Sequence, residues 1–409
     1  MMRQVRLGDA IDIIRGVSFD KSEARLSADS GYLPILRAGN IQDELKVQHD
    51  LVWVPSTRVS ATQRMRVGDI AIAVSSGSSA LVGKTAILET EWDGSVGAFC
   101  AILRAKDGVS PRYLAQWFRG PAFQAWREKK TRGANIQNLQ ISDLAELELT
   151  LPPLDQQEQL AEATQQQIET ARIALIANEQ QGELAALLGP AELSQQFHGC
   201  IPISASPKLP EAPHKWKWYT LEKFARLESG HTPSRRHPEW WGGDVPWLAL
   251  PDIRKLHGKV AHETTENTNA AGLANSSARL LPVGTVCVSR TASVGYVTLL
   301  GRPMATSQDF CNWICDPEKL DPDFLMYAFM ASQKHLQELG SGAVHKSIYM
   351  PTIQSFQICA PDIDEQRRIA RTLRERLAAA ESLNEALKAR LADIERLPQR
   401  LLAEAFGQN

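Results

Sequence analysis

The sequence has 409 residues, which exceeds one ordinary domain and predicts two or three. Apolar residues make up 43% and charged residues 22%, as in globular proteins. The sequence contains no run of about 18 apolar residues, so we expect no membrane span. The N-terminal segment Met-Met-Arg-Gln-Val-Arg lacks the apolar region of a signal peptide. The six cysteines are scattered, and they form no Cys-x-x-Cys pair. We therefore expect a cytoplasmic protein with reduced thiols, no metal site and no cofactor.

The net charge of −2 argues at first against a nucleic-acid ligand, but the charge is unevenly distributed. Residues 1–150 carry 19 Lys and Arg against 17 Asp and Glu, and residues 201–360 carry 16 against 14. Residues 151–200 carry 1 against 7. The main globular segments are therefore mildly basic, and local patches rather than net charge decide whether a domain binds DNA.

Residues 1–153 predict a mixed α/β domain. A short amphipathic helix is expected at residues 7–14, before Gly16. Apolar runs beside turn residues predict strands at residues 31–41, 67–74 and 85–88. A further helix, with proline in its first turn, is predicted at residues 111–123.

Residues 154–200 and residues 362–409 each predict a long helix. Their apolar residues repeat every three or four positions in a stripe that is too narrow to be buried without a second helix. The predicted seam consists of Ala161, Ile168, Leu175, Asn178, Leu373, Leu377, Asn384, Leu387, Leu391 and Ile394. An asparagine buried in such a seam costs stability but fixes the register; the alternative is that each asparagine lies at the seam's edge in water.

Residues 201–214 are rich in proline and serine, which is typical of a linker. Residues 215–361 then repeat the first domain: residues 243–253 match residues 31–41 at a constant offset of 212, and the Val-Gly-Thr turn from residue 283 matches Val-Gly-Asp from residue 67. We also match Phe310-Cys311 with Phe99-Cys100. The framework repeats while the loops differ, which favours two domains of one fold with different ligands.

Several motifs recur in the same order in both halves. They are Pro-Ile-Leu-Arg-Ala-Gly-Asn-Ile and Pro-Trp-Leu-Ala-Leu-Pro-Asp-Ile, the two Val-Gly turns, the proline-containing helix starts that end at Gln157 and Gln366, and the endings Leu193-Ser-Gln-Gln-Phe-His-Gly and Leu401-Leu-Ala-Glu-Ala-Phe-Gly. This arrangement resembles the specificity (S) subunit of type I restriction–modification systems. The resemblance implies an α+β protein: two similar mixed α/β target recognition domains in pseudo-two-fold tandem, separated by two long antiparallel coiled-coil helices.

The resemblance also implies partners: double-stranded DNA, two methyltransferase (M) subunits and, in the restricting complex, ATP-driven nuclease/translocase (R) subunits. Two DNA-reading domains must lie about one helical turn apart, roughly 34–36 Å. A helix of about 30 residues spans about 45 Å, so a pair of such helices is a suitable rigid spacer. We expect a bipartite target with an unspecified gap.

Three alternatives stay open. The helices and globular domains could form a coiled-coil assembly scaffold that binds protein, or the chain could be an enzyme with an unrecognised site. A methylation-only antiphage system could use the same kind of subunit. The sequence contains neither a glycine-rich methyltransferase loop with its Asn/Asp-Pro-Pro-aromatic motif nor the Asp…Glu-x-Lys pattern of a nuclease. We therefore expect a recognition subunit without a catalytic site of its own.

Polar and basic side chains in loops at equivalent places are the candidate DNA contacts. Cations and hydroxyl groups suit phosphate oxygens, while arginine and asparagine suit guanine and adenine edges. In the first domain the candidates are Arg37, Asn40, Ser76, Ser78, Lys84, Lys129, Lys130, Arg132 and Asn135. In the second domain they are Thr232, Ser234, Arg235, Arg236, Arg254, Arg290, Thr291, His345 and Lys346.

Each group of candidates has an ordinary structural alternative. Asn40 could form an Asx-turn, and the tract at residues 128–135 could be a solvated charged loop. The segment from Ser78 to Thr85 nearly matches a phosphate-binding P-loop, but the residues after Lys84 predict a strand where a P-loop needs a helix, so we reject ATP binding. The pair Trp240-Trp241 is expected to serve packing rather than DNA binding.

Overall fold

The structure is a computed structural model that describes residues 2–131, 138–340 and 346–407. The chain forms two compact units. The first comprises Met1–Glu179 and Ala389–Asn409, and the second comprises Gln180–Lys388. Each unit therefore combines one predicted globular domain with a segment of both long helices.

The globular part of the first unit is built mainly from antiparallel strands. They are β1 (Arg3–Arg6), β2 (Ile11–Arg15), β3 (Tyr32–Leu36), β4 (Val52–Pro55), β5 (Ile70–Ala73), β6 (Thr85–Ile87), β7 (Ser95–Val96), β8 (Cys100–Ala105) and β9 (Glu148–Leu151). They pair in the orders β2-β8-β5-β6, β4-β3-β7 and β1-β9. Strand β5 is buried along its whole length, as the apolar run after the Val-Gly-Asp turn predicts.

The helices of this unit correct two predictions. Helix α1 (Leu7–Ala10) is shorter than expected, because the isoleucine-rich segment after it forms β2 and pairs with β8. The helix predicted at residues 111–123 is two helices, α2 (Pro111–Arg119) and α3 (Pro121–Thr131), since Pro121 cannot continue the first one. Helix α4 (Ile141–Ala145) follows.

The first long helix is α5 (Leu154–Ala186), and α6 (Leu188–Gln196) follows it directly. The Gly189-Pro190 pair therefore interrupts the helix rather than ending it. Pro190 lies in the first turn of α6, where a missing backbone N–H costs little.

The second unit repeats the strand pairing of the first. Its strands are β10 (Ile203–Ser204), β11 (Lys217–Thr220), β12 (Ala225–Ser229), β13 (Trp241–Leu248), β14 (Val260–Ala261), β15 (Glu266–Thr268), β16 (Val286–Ser289), β17 (Val297–Leu300), β18 (Ala305–Thr306), β19 (Phe310–Cys315) and β20 (Gln357–Ala360). The orders are β12-β19-β16-β17-β14, β15-β13-β18 and β10-β20-β11. Strand β14 extends the main sheet, and β10 lies within the predicted linker, where Ile203 pairs with Ile358.

The helices of the second unit's globular part are short. They are α7 (Leu250–Leu256), α8 (Ala270–Ala274), α9 (Pro322–Ala331), α10 (Gln333–Leu339) and α11 (Met350–Gln354). The second copy of the predicted first helix is a single 3₁₀ turn at Leu221–Lys223, followed by β12. In both copies the extended segment pairs with a neighbouring strand instead of continuing a helix.

The second long helix, α12 (Ile363–Phe406), has 44 residues. The predicted seam positions are buried or partly buried in both long helices. Asn178 is 3% exposed, and Asn384 is partly buried, with its side-chain amide donating to the Ala185 carbonyl at 3.5 Å. Within the second unit, this hydrogen bond joins α12 to α5.

The two long helices run in opposite directions. In the first unit, Ala161 near the start of α5 and Phe406 at the end of α12 belong to one hydrophobic core. In the second unit, Phe197 after α6 and Ile369 near the start of α12 belong to one core. The fold is therefore the predicted one: two similar α+β domains with a pair of long antiparallel helices.

The same aromatic contact anchors each unit's core to the end of a long helical segment. Phe406 lies against Tyr113 of α2, with ring centroids 5.2 Å apart. Phe197 lies against Phe324 of α9 at 5.4 Å. Tyr113 and Phe324 occupy the same position after the Pro that begins each helix.

In each unit, one buried glutamine joins the globular domain to the start of its long helix. Gln157 accepts from the Ser110 N–H at 2.9 Å and donates to the Pro152 and Gly108 carbonyls at 2.8 and 3.3 Å. Gln366 repeats this: it accepts from the Asp321 N–H at 3.0 Å and donates to the Pro361 and Lys319 carbonyls at 3.0 and 3.1 Å. The repeated helix starts therefore place one glutamine that satisfies three backbone groups in each copy.

The register of the repeat differs from the predicted one at a single strand. Ala73 pairs with Cys100 in the first unit, and Ser289 pairs with Phe310 in the second. Cys100 therefore corresponds to Phe310, and Phe99 to Asp309. The match of Phe99-Cys100 with Phe310-Cys311 was wrong by one residue.

Candidate DNA interface

In the first unit, several loops meet at the carboxyl end of β5. Phe99 lies in the turn before β8, and its carbonyl accepts hydrogen bonds from Val74 and Ser75, each at 3.0 Å. Ser75 forms a β-bridge with Asn138, which follows the polar tract. The end of β3 joins the same region, because Gly97 donates to the Leu36 carbonyl at 2.8 Å.

This close approach of chains depends on a glycine in each copy. A Cβ on Gly16 would collide with the Gly97 carbonyl, and a Cβ on Gly230 would collide with the Ser307 carbonyl. Gly16 and Gly230 are therefore required for the close backbone packing beside these loops.

Arg37, Lys84 and the hydroxyls of Ser76 and Ser78 lie on this part of the first unit. Lys84 Nζ donates to Gln42 Oε1 at 2.8 Å, and the Gln42 amide donates to the Gly39 carbonyl at 2.9 Å. The guanidinium of Arg37 is exposed and donates to the Asp50 carbonyl at 2.9 Å. Ser76 Oγ accepts from the Ser78 N–H at 3.2 Å.

Asn40 stabilises its own turn, although not as an Asx-turn, because its side chain bonds the backbone N–H three residues earlier. Its side chain is 3% exposed; Oδ1 accepts from the Arg37 N–H at 2.8 Å, and Nδ2 donates to the His49 carbonyl at 2.8 Å. These bonds shape the turn and the loop behind it. Both ends of the amide are used by these bonds, and the adenine contact predicted for Asn40 stays a prediction.

The structure describes only the first part of the charged tract at residues 128–135. Lys129 is exposed near the end of α3, and Lys130 forms an ion pair with Asp143 at 2.6 Å. Arg132, Asn135 and His345 lie outside the described residues. The contacts predicted for them stay predictions.

In the second unit, the equivalent loops bring together Arg290, Thr291 and Lys346. Arg290 Nε donates to the Gln308 carbonyl at 3.1 Å, and its N–H donates to the Asp309 carbonyl at 2.8 Å. Ala292 N–H donates to the Lys346 carbonyl at 3.0 Å. The Lys346 side chain is exposed beside this loop.

Two further candidates join the same face. Arg254 Nε donates to Ser293 Oγ at 3.0 Å, so α7 is tied to the loop after β16. Thr232 hydrogen bonds to the side chain of Gln308, whose carbonyl binds Arg290. The structure therefore collects the candidates from three separate parts of the second copy.

Arg235 is largely committed to partners within its own unit. Its guanidinium lies 3.7 Å from the Trp241 ring centroid and donates two hydrogen bonds to Glu266, at 2.9 and 2.6 Å. This hydrogen-bonded arginine lowers the pKa of the Glu266 carboxyl. Arg235 is therefore better placed to shape its loop than to follow a DNA backbone.

The neighbours of Arg235 in the same loop are more open. Arg236 and Ser234 are exposed, and Ser234 Oγ accepts from the Arg236 N–H at 3.3 Å. Trp241 packs under Arg235, and Trp240 stacks on His237 at 4.1 Å. The tryptophan pair thus serves local packing, as expected.

Sequence reasoning missed Phe99, whose side chain is 69% exposed at the first unit's candidate face. The equivalent Asp309 is bound to Ser307 Oγ at 2.8 Å and to Thr291. The sequence Phe99-Cys100 is apolar and predicts two core residues. The strand pairing shows that only Cys100 points into the core.

The thiols near this face are buried. Burial raises the pKa of Cys100 and of Cys311 to about 12, which suppresses the reactive thiolate. These cysteines serve as core residues.

None of the helices in the described ranges combines the length and hydropathy needed to span a bilayer.

The chain is similar to known specificity subunits along most of its length. The chain is 25% identical over 414 residues to the StySPI specificity subunit of Salmonella potsdam, and 26% identical over 419 residues to the EcoKI specificity subunit of Escherichia coli K12. Each alignment covers 96% of this chain and 86% of the relative.

Solved structures share the fold. The HsdS subunit from Thermoanaerobacter tengcongensis matches with a TM-score of 0.70 at 18% identity, covering 100% of this chain and 97% of that one. The family model described as the type I restriction modification DNA specificity domain matches residues 2–184 and again residues 213–393. The chain therefore belongs to the type I restriction–modification DNA specificity family.

Proposed function

We propose that this chain is the sequence-specific DNA-binding subunit of a type I restriction–modification complex and reads a bipartite site, one half per recognition domain. The observation that carries the proposal is the duplicated face. The same turns of the same sheet present different side chains in the two units, as expected if one scaffold reads two different sequences. The recognition domains would comprise residues 1–153 and 215–361.

The basic groups of each face divide into two kinds of contact. Lys84, Lys129, Arg236 and Lys346 would bind phosphates, which position the subunit without reading sequence. Arg37 and Arg290 lie in hydrogen-bonded turns and Arg254 lies in α7, and arginine suits the guanine edge in the major groove. Serine and threonine hydroxyls of the neighbouring loops would add phosphate contacts.

The long helices would set the gap between the half-sites. α5 has 33 residues and α12 has 44, so each is longer than about 45 Å at 1.5 Å per residue. A helical turn of DNA is roughly 34–36 Å. A seam whose register is fixed at Asn178 and Asn384 would keep the gap constant.

The outer surface of α5 supports the proposal of methyltransferase partners. Large apolar side chains on this helix and just after it are exposed: Ile173, Ile176, Leu184, Leu187 and Leu188. Ile173, Ile176, Leu184 and Leu187 recur at helical spacing on one stripe, and exposed apolar stripes mark protein interfaces. We infer that helices of two methyltransferase subunits cover it.

The catalytic activities would belong to the partners. The chain itself would be non-catalytic, while the assembled complex would methylate adenine and, with nuclease/translocase subunits, cleave DNA at the expense of ATP. Because its ligand is cellular DNA, we place the subunit in the cytoplasm.

The test is to co-express this chain with its neighbouring methyltransferase subunit and to map modified adenines across the genome by long-read sequencing. We expect one motif of two short halves around a fixed gap. Exchanging residues 215–361 for another family member's second domain should change one half, and exchanging residues 1–153 should change the other. Methylation at an uninterrupted short motif, or none from a stable complex, would contradict the proposal and favour an assembly scaffold.

A further inference from the structure

Phe99 is a large apolar side chain presented to solvent from a rigid backbone. It is 69% exposed, yet its carbonyl accepts two hydrogen bonds, and the turn that contains it is closed by the Cys100 N–H donating to the Gly97 carbonyl at 2.8 Å. These bonds fix the backbone that carries the ring. An exposed apolar group carried on a fixed backbone is suited to a contact made on binding.

The chain segments that adjoin the Phe99 turn contain polar and basic residues. The turn adjoins the serine loop at Ser75, and the Lys84 carbonyl pairs with Ala73 on the neighbouring strand. Arg37 follows the strand whose end binds Gly97. An apolar side chain among such groups fits a polyanion that also has apolar patches, which describes the major groove of duplex DNA.

The second unit has no apolar side chain at this position. Asp309 replaces Phe99 in the same turn and is bound to Ser307 and Thr291. The backbone is equivalent in both copies, since Arg290 N–H donates to the Asp309 carbonyl as Val74 N–H donates to that of Phe99. The difference therefore lies in side-chain chemistry at one fixed position, where a specificity difference is expected.

We propose, on the basis of the proposed function, that Phe99 is a specificity-determining residue that packs against the 5-methyl group of a thymine in the first half-site. In the major groove, thymine is distinguished by this methyl group, and apolar side chains recognise it. Asp309 has no such role in the second half-site, where its carboxylate fixes the loop carrying Thr291.

The experiment uses the purified complex of the full chain with its methyltransferase subunits and duplexes carrying the mapped target. Each thymine of the first half is replaced in turn by deoxyuridine, which lacks the methyl group, and affinity is measured at constant salt. For the wild-type complex we expect one replacement to weaken binding about fourfold, the effect of withdrawing one methyl-sized contact. The variant Phe99→Ala should bind more weakly and lose nothing further at that thymine.

Val67→Ala is the matched control, because Val67 is also an exposed apolar residue, 50% exposed, but precedes β5 at its opposite end. It should keep the wild-type deoxyuridine profile. The inference is overturned if Phe99→Ala keeps that profile too, or if no replacement weakens the wild type. A wild-type complex that does not prefer the mapped site over a scrambled duplex would instead refute the proposed function.

Discussion

The two units build the same turn before their central strand with different chemistry. In the first unit, Asp69 is 2% exposed and forms a two-pronged ion pair with Arg104, at 2.8 and 2.6 Å. In the second unit the equivalent residues are Thr285, whose hydroxyl donates to the Pro282 carbonyl at 2.7 Å, and Ile314, which packs in an apolar cluster. One fold therefore accepts a buried ion pair or an apolar contact, provided that the turn's own hydrogen bonds are made.

The strongest test of this comparison is Asp69→Ala. It leaves the Arg104 guanidinium in a largely buried site, 16% exposed, without its partner, and breaking a buried pair costs about 3–5 kcal/mol. We expect the first unit to lose about that much local stability, measured by hydrogen exchange of its peptides in the assembled complex, while the second unit is unchanged.

The double variant Asp69→Thr, Arg104→Ile transfers the second unit's solution to the first. It should recover most of the loss, since apolar replacement of a buried ion pair is often neutral. Arg64→Ala is the control: its pair with Asp93 is exposed at 44% and 64%, so the expected loss is below about 1 kcal/mol. A double variant as unstable as Asp69→Ala would show that the two turns are not interchangeable.

The buried glutamines sharpen the comparison because here the two units agree. Gln157→Ala and Gln366→Ala each leave three backbone groups without their partner. A buried group left without a hydrogen bond lowers the free energy of unfolding by about 1–3 kcal/mol. We expect each variant to lose about 2 kcal/mol in its own unit, seen by hydrogen exchange, and to lower methylation at the mapped site. Gln156→Ala, at an exposed neighbouring position, should have no effect; a loss in both units from one glutamine would contradict the local role.

How much the sequence predicts depends on how far apart the interacting residues lie. The narrow seam and the repeated glycines are local patterns, so the long helices and the paired turns were predictable. The ion pair of Arg235 with Glu266 joins residues 31 positions apart, and nothing in the local pattern distinguishes it from an exposed arginine. Phe99 was matched with Phe310 by identity, whereas the register is set by strand pairing and by loops whose lengths differ.

Arg235 and Arg236 give a third test, because adjacent arginines should affect DNA binding differently. Arg236→Ala removes an exposed cation, so it should reduce the salt dependence of binding by about one phosphate contact. Arg235→Lys loses the paired hydrogen bonds to Glu266 and the stacking on Trp241 but keeps the charge. It should weaken binding by about 1 kcal/mol with an unchanged salt slope. A reduced slope for Arg235→Lys would mean that this residue binds phosphate after all.

The smallest effect is expected from His257, which belongs to the additional edge of the second unit's main sheet, just before β14. Burial lowers the pKa of His257 below its usual 6.5, and its Nδ1 accepts from the Val297 N–H at 3.1 Å. The unfolded chain then binds more protons than the folded one below pH 6.5, so the second unit should lose stability as pH falls, by at most about 1.4 kcal/mol per pH unit.

His257→Asn keeps an acceptor but cannot titrate, so the difference between wild type and variant isolates this group. Hydrogen exchange of second-unit peptides is measured at pH 7 and pH 5.5 and corrected for intrinsic rates. The loss of stability between the two pH values should be smaller in the variant than in the wild type. An equal pH response in both proteins would mean that the additional edge contributes nothing to the pH dependence through this histidine.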